Sequence, residues 1–466
     1  MSTTATVTST PANTTTSIAA GGTTPAQAVL DLSDIQGLII RGYTHPFSRH
    51  FFLRIEDAAK AKAWVGSLVN DPSNPLQINS AAEWPEKPGV LLNLGMTSDG
   101  LAHFDIPGLN YNHCFQTFRK GATANSTAIG DTGDSSPANW VGDLGNGTHM
   151  VLSMWTLVQS DIETYSDTLR AGYAGFLTEQ YAQDGAAMPD NTIHFGYMDS
   201  ISQPHISGVP LTYPDAQAEV PAYYFVVQDD AAGQAPYQVP APTQFWLNGC
   251  FGALRILKQE VKLFSDYLGA QADKVDPDLL AAQFCGRWSN GTPLDLSPLS
   301  DQGIAYSEFN NFNYVTPNND AQGTRCPYGS HLRRTNGRNG TLAIGMEPHR
   351  VVRRAMPYGP KYDKNAPDNI ERGLVGYFMG IDLSAQFEFL MQTWVNSANF
   401  SPVIGEPNWL DPILGANDGS DASSFDVVHP DGSTVRVKNI PRFVITRGSA
   451  YCFLPSISGL KYLSSL

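Results

Sequence analysis

Residues 50–69 read HFFLRIEDAAKAKAWVGSLV. Residues 50–55 form a short apolar run of strand length. Asp57 then supplies a side-chain oxygen for free backbone N–H groups, the mark of a helix N-cap. From there to about Val69, Trp64, Val65, Leu68 and Val69 share one helical face. Residues 89–94 read as a second strand, with a turn at Ser98, Asp99 and Gly100. Residues 150–155 read as a third strand, and residues 160–183 as a helix. Residues 193–210 are irregular and punctuated by Gly and Pro.

A similar cycle restarts further on. Residues 222–227 and 244–247 read as strands, followed by an amphipathic helix over 253–268 with Leu254, Leu257, Val261 and Phe264 in one stripe. Residues 286–350 lack helical period and are rich in Gly, Asn, Pro and Arg, and a loop of that length is usually functional. Residues 374–394 hold a strand and then a helix. Residues 425–437 are a hairpin over Pro430, Asp431 and Gly432. Residues 443–454 read as a last strand pair before a short helical end. Strand and helix alternate in both halves without the long Val/Ile runs of a buried parallel sheet. That pattern predicts α+β with antiparallel sheets.

Composition narrows the function. The chain has 466 residues, 42% of them apolar, enough for about two or three domains. Its net charge of −15 argues against nucleic acid or an anionic membrane as the main partner. No apolar stretch reaches the roughly 18 residues of a transmembrane helix. The five cysteines, Cys114, Cys250, Cys285, Cys326 and Cys452, form no CxxC pair and read mostly as buried thiols. Residues 1–29 are a Thr-rich tail, expected to be disordered, without the basic and apolar regions of a signal peptide. Sequons at Asn13, Asn125, Asn146, Asn290, Asn339 and Asn399, with the low charge, favour an extracellular protein. There is no phosphate loop and no nucleophile elbow. A carbohydrate hydrolase would need a carboxylate pair, and none stands out.

Three stretches carry candidate chemistry. The first is GTRCPYGSHLRRTN, residues 323–336, with one imidazole and three arginines. It reads equally as an anion site or as a solvated basic loop. The second runs from Arg350, Arg353 and Arg354 into Met356-Pro357-Tyr358-Gly359. The third is FGYMDSISQP, residues 195–204, in which Asp199 is a lone acid among apolar neighbours. Ten scattered histidines give no zinc signature, and one of them as an axial haem ligand remains open.

Together these stretches resemble the dye-decolorising peroxidases, and specifically the larger fungal members. Four further segments join the resemblance in order: DIQGLI at 34–39, NLGMTSDGL at 93–101, the Gly130-Asp131 loop to Trp140, and GSAYCFLPS at 448–456. The resemblance implies two ferredoxin-like domains with antiparallel sheets, over 30–215 and 216–466, with haem bound mainly by the second. It implies one haem b per chain, with His331 as the axial ligand of the iron and Asp411, in WLDPILG, bonding that histidine. It makes Asp199 the distal acid/base and Arg353 the distal arginine, Arg354 being the adjacent alternative. Leu374 is then a pocket residue, Arg333 and Arg338 are propionate or pocket partners, and Trp394, Tyr358 and Trp409 are surface electron-transfer candidates.

Two residues depart from the family pattern. Ser200 stands where the GxxDG motif ends in Gly, and Gly376 stands where a Phe is expected, a change that would widen the pocket. The implied activity is oxidation of anthraquinone dyes, phenols and other small aromatic donors by hydrogen peroxide through an oxo-ferryl porphyrin radical. An acidic optimum is expected. The alternative is a haem-binding or haem-handling protein of the same fold with little turnover. Oligomeric state is not legible.

Overall fold

The structure is a computed structural model. It describes residues 30–71, 73–106, 115–211, 213–229, 235–338, 347–400, 409–429, 431 and 433–466. The Thr-rich tail, Cys114, the sequons at Asn13 and Asn339, and the hairpin residues Pro430 and Gly432 lie outside the described residues.

Eight strands make one antiparallel sheet: β1 (Phe47–Ile55), β2 (Val90–Met96), β3 (Met150–Thr156), β4 (Leu177–Ala186), β5 (Cys250–Gln259), β6 (Val352–Tyr358), β7 (Gly373–Gly380) and, after a small hairpin of β8 (Phe425–Val428) with β9 (Thr434–Val437), β10 (Val444–Leu454). Their order is β4-β1-β3-β2-β10-β5-β7-β6. The first four strands thus lie in the order fourth-first-third-second, and the second four repeat that order. Each half is a strand-helix-strand, strand-helix-strand unit of ferredoxin-like type. The halves meet where Phe453 of β10 faces Met96 of β2. The free edges β4 and β6 also lie against each other, for a Cβ on Gly185 of β4 would meet Met356 of β6 at 3.2 Å, and Ser48 of the neighbouring β1 donates to Met356 Sδ at 3.4 Å.

One sheet face turns inward on Phe52, Val151, Trp155, Leu254, Ile256, Val375 and Tyr377. The other, with Phe51, Leu53, Leu152, Met154, Phe251 and Ala253, lies under helices. The helix Ala58–Asn70 is capped by Asp57, whose carboxylate accepts from the Lys60 N–H, and it buries Trp64, Val65 and Leu68. No helix among the described residues is long and apolar enough to cross a membrane. Cys250, Cys326 and Cys452 are buried free thiols, and Cys285 is free and half-buried.

Several local readings change. The helix expected over 160–183 ends at Tyr173. Gly175 then takes φ +82, a turn that a side chain would strain, and β4 begins at Leu177 to pair with β1. The helix expected over 253–268 is β5 followed by a helix at Val261–Ala270. β5 lies between β10 and β7 and is buried on both faces, so its apolar residues carry no strand-like alternation. Residues 222–227 and 244–247, read as strands, are short helical turns at Ala222–Tyr224 and Thr243–Trp246. The expected strand pair at 443–454 is the single strand β10. Ser98–Ala102, read as a turn, is one short helix.

Candidate functional site

On β6, side chains alternate between the two sheet faces. Arg354 points into the barrel, where its guanidinium donates to the carbonyls of Leu38 and Ile40, each at 2.9 Å. Arg353 therefore points to the opposite face, shared with Ala355 and, across the strand pairing, with Leu374, Gly376 and Phe378 of β7. Pleat geometry thus separates the two adjacent arginines. Arg353 keeps solvent access on that face.

Asp199 reaches the same region from the loop after the first half. Its N–H donates to Asn191 O, and its Oδ1 accepts from the Ser200 N–H at 2.6 Å. Ser200 has φ +59, a left-handed conformation that glycine adopts at little cost and a serine adopts with strain. Burial raises the Asp199 carboxyl above the ordinary Asp range, against the opposing pull of the Ser200 N–H and Arg353. Burial likewise lowers Arg353, which Asp199 partly restores. The two do not form an ion pair within 4 Å.

Gln203 ties the loop to the strand. β6 is a sheet edge, so the N–H and C=O of Arg353 lack a strand partner there. The Gln203 amide supplies both, accepting from Arg353 N at 3.0 Å and donating to Arg353 O at 2.9 Å. The Arg353 guanidinium donates to Ser202 O. Sequence reading missed Gln203, although it stands four residues after Asp199. No pattern marks an amide that mimics a missing strand.

His331 opens a five-residue helix, His331–Thr335. Its Nδ1 lies 2.8 Å from Asp411 Oδ2, and Asp411 is fully buried while the His331 side chain is 27% exposed. Burial works to raise the Asp411 carboxyl, but the His331 imidazole and the Arg334 guanidinium pull harder, and it rests below the ordinary range. Its other oxygen accepts from the Ile413 and Leu414 N–H groups. An ionised acceptor requires Nδ1 to carry the proton, which leaves Nε2 as a lone-pair donor on the accessible side. Arg334 was not singled out in the sequence. It is buried and donates to the carbonyls of Trp394, Ser397 and Trp409, fastening the Asp411 turn to the His331 helix.

Leu414, whose N–H bonds Asp411, also lines a cleft of about 370 Å³, counted to its open mouth, which His331, Asp411, Asp199 and Arg353 do not themselves line. Leu257 and Phe378 of the sheet form one wall, Met391 and Leu414 another, and the buried Arg255–Asp131 ion pair borders it. A flat apolar cofactor with one axial nitrogen ligand suits this arrangement. The oriented His331 imidazole offers a free nitrogen, and Leu257, Phe378, Met391 and Leu414 offer apolar surface nearby. Among the described residues no cluster of three or more His, Cys, Asp or Glu gathers for a metal ion.

Other expected residues lie elsewhere. Arg333 is 1% exposed, bonds Asp320 at 2.7 Å and stacks between Tyr314 and Tyr328. Arg338 is buried on the carbonyls of Asn310 and Phe312. Both guanidinium groups are committed within the protein, so neither is placed to meet a propionate. Trp394, 2% exposed, packs on His349 and Phe389, and Tyr358 is buried with its hydroxyl on Glu371. Neither is a surface residue. Trp409 is half-buried beneath Arg436. At Gly376, an added Cβ would meet Arg354 O at 2.1 Å and Ala355 Cα at 2.3 Å, so β6 backbone fills the space a side chain would take. The glycine admits a close strand and does not widen the pocket in that direction.

The chain and its fold have known counterparts. Residues 34–189 match the family described as "DyP dimeric alpha+beta barrel domain". A dye-decolorizing peroxidase of Exidia glandulosa is 30% identical, over 93% of this chain and 87% of its own length. Peroxidase 2 of Mycetinis scorodonius is 29% identical, over 94% of this chain and 88% of its length. The crystal structure of a fungal DyP-type peroxidase from Auricularia auricula-judae superposes with a TM-score of 0.82 at 27% identity, covering 94% of this chain and all of that one.

Proposed function

This chain belongs to the dye-decolorising peroxidase family, and from that membership we propose a division of labour among its residues. The protein is a haem peroxidase that uses hydrogen peroxide to oxidise dyes and phenols. A solved relative is described in complex with 2,6-dimethoxyphenol, which supports small phenols as donors here. We assign one haem b per chain, held mainly by residues 216–466, with residues 30–215 forming the other unit. The sequons and low charge support an extracellular location.

The observation that carries the assignment is the pairing of His331 Nδ1 with the buried Asp411 carboxylate. His331 Nε2 would ligate the iron, and Leu374 would line the pocket. Bound haem supplies the redox chemistry that cleaves peroxide and stores its oxidising equivalents. Asp411 fixes the ring and its tautomer and makes Nε2 a stronger donor. The Asp199 carboxylate accepts the peroxide proton at one oxygen and returns it to the departing one, as general base and then acid. Its raised affinity for protons suits that exchange at mildly acidic pH. Arg353, held by Gln203 and Ser202, puts positive charge where negative charge develops as the O–O bond breaks. Of the three aromatic relay candidates, the exposure of Trp409 and its place two residues before Asp411 favour it over Trp394 and Tyr358.

The test is a visible spectrum of the purified protein before and after one equivalent of peroxide. A Soret band that shifts with peroxide, followed by steady dye oxidation, is expected. A Soret band indifferent to peroxide would make this a haem-handling protein, and no Soret band after reconstitution would overturn both readings.

A further inference from the structure

The loop that carries Asp199 meets β6 at two points. Gln203, four residues after Asp199, binds the N–H and C=O of Arg353. His194, five residues before Asp199, reaches the other end of the strand, where its Nε2 lies 2.7 Å from Tyr358 O. The acid therefore hangs between two anchors that are five residues apart on β6. At about 3.3 Å per strand residue, those anchors are about 16 Å apart. The chain from His194 to Gln203 could stretch to about 30 Å, so it has slack.

A small hairpin takes up that slack. Thr192 pairs with Met198, the Ile193 N–H donates to Tyr197 O at 2.9 Å, and the Asp199 N–H donates to Asn191 O at 2.9 Å. Its tip is buried. The Phe195 ring is centred 4.5 Å from that of Phe264, and the Tyr197 hydroxyl donates to Ala281 O at 2.7 Å. These contacts join the tip to the helices Val261–Ala270 and Pro277–Cys285. They leave its position along β6 to the His194 hydrogen bond.

His194 is 7% exposed, and its Nδ1 is buried with no hydrogen-bond partner among the described residues. Because Nε2 faces a carbonyl, Nε2 carries the proton and Nδ1 a lone pair. An acceptor left unpaired in the interior is unfavourable, so a ring placed for packing alone would do better as Phe. The histidine is explained by what Nε2 holds. Burial, with Arg372 nearby, lowers the proton affinity of the ring against the pull of the Tyr358 carbonyl, which favours the neutral form.

We propose that His194 is a positioning residue for the peroxide reaction: it ties the hairpin tip to the end of β6 and so fixes where the Asp199 carboxylate stands relative to the Arg353 guanidinium. The proposal rests on the reading of Asp199 as the acid/base. Arg353 belongs to β6 itself, whereas Asp199 is on a loop, and a base that drifts out of reach of its proton loses its contribution. His194 and Gln203 set both groups from one strand.

The test uses the holoenzyme. His194→Phe keeps a ring and removes the donor. It should slow the reaction with peroxide at least tenfold in stopped-flow mixing, while enzyme already treated with peroxide oxidises a dye at the wild-type rate. Hydrogen exchange should quicken over residues 187–204 and stay unchanged over β1. His194→Gln, which places an amide N–H at the reach of Nε2, should recover most of the peroxide rate. In an Asp199→Asn background His194→Phe should slow the reaction little further, because a residue that acts through Asp199 has nothing left to position. Equal losses in the two backgrounds overturn the proposal, as does a wild-type peroxide rate in His194→Phe. His194→Met also lacks the donor, and it is read in the same cycle if His194→Phe does not fold. A wild-type peroxide rate in Asp199→Asn alone marks failure of the acid/base reading, and this proposal falls with it.

Discussion

His331 and Asp411 are 80 residues apart in the chain and 2.8 Å apart in space, with the histidine accessible and the aspartate completely buried. Two backbone N–H groups and the nearby Arg334 keep that carboxylate ionised, so the imidazole is oriented before any ligand arrives. Asp411→Asn should therefore leave haem binding measurable but weaken the axial donor. Metal-site partners of this kind typically give 10–100-fold in affinity or activity. The expected result is a loss of about that size in peroxidase turnover with a raised iron reduction potential, read by spectroelectrochemistry. An unchanged potential would deny Asp411 its role.

Asp199 and Arg353 lie near enough for their charges to interact, whereas Arg354 is tied to the carbonyls of Leu38 and Ile40. Asp199→Asn should slow the reaction with peroxide by about 10²–10⁴-fold, the range for a lost general acid/base. Arg353→Leu should slow it by about 10²–10³-fold. Arg354→Leu should cost stability and leave the peroxide rate of the folded fraction near wild type. Stopped-flow mixing with peroxide separates the three. The wild-type optimum should be acidic, and an optimum above neutral would count against Asp199.

Ser200 holds φ +59 next to Asp199, the proposed acid/base. A left-handed conformation costs an L residue about 1–2 kcal/mol, and glycine gives back part of that in unfolded-state entropy. Ser200→Gly should stabilise the protein by about 1 kcal/mol, seen by calorimetry as a rise in Tm of about 1–2 °C. A fall in Tm would show that the serine hydroxyl has a compensating role.

Asp295 is fully buried, and burial, with Asp320 nearby, pushes its carboxyl from 3.8 up to about 6. Below about pH 3.8 both folded and unfolded forms are protonated. As pH rises toward 6 the unfolded form ionises first, and the folded state loses about 3 kcal/mol. Asp295→Asn should remove that loss, narrowing the stability gap between pH 4 and pH 8 in denaturant titrations. Arg333→Leu should act oppositely, for it strands Asp320 in the core at a cost of about 3–5 kcal/mol.

How much of this was legible differs from residue to residue. The helix after Asp57 was readable because its cap and its apolar stripe are local signals. β5 was not, because a strand buried on both faces has no alternation to read, and its leucines happened to fall at helical spacing. Gly376 was read as missing volume, but only the neighbouring strand shows that backbone fills the place. Trp394 and Tyr358 were read as surface groups because sequence carries no record of depth.

The sequence by itself determined the α+β class, the family, and the candidate identity of His331, Asp411, Asp199 and Arg353, since those rest on residue types in a fixed order. Tertiary structure alone set Arg353 and Arg354 on opposite sheet faces, committed Arg333 and Arg338 to the interior, and brought in Gln203 and Arg334. The reason is geometric. A strand's pleat turns adjacent side chains to opposite faces, and which face meets a cavity depends on strands hundreds of residues away.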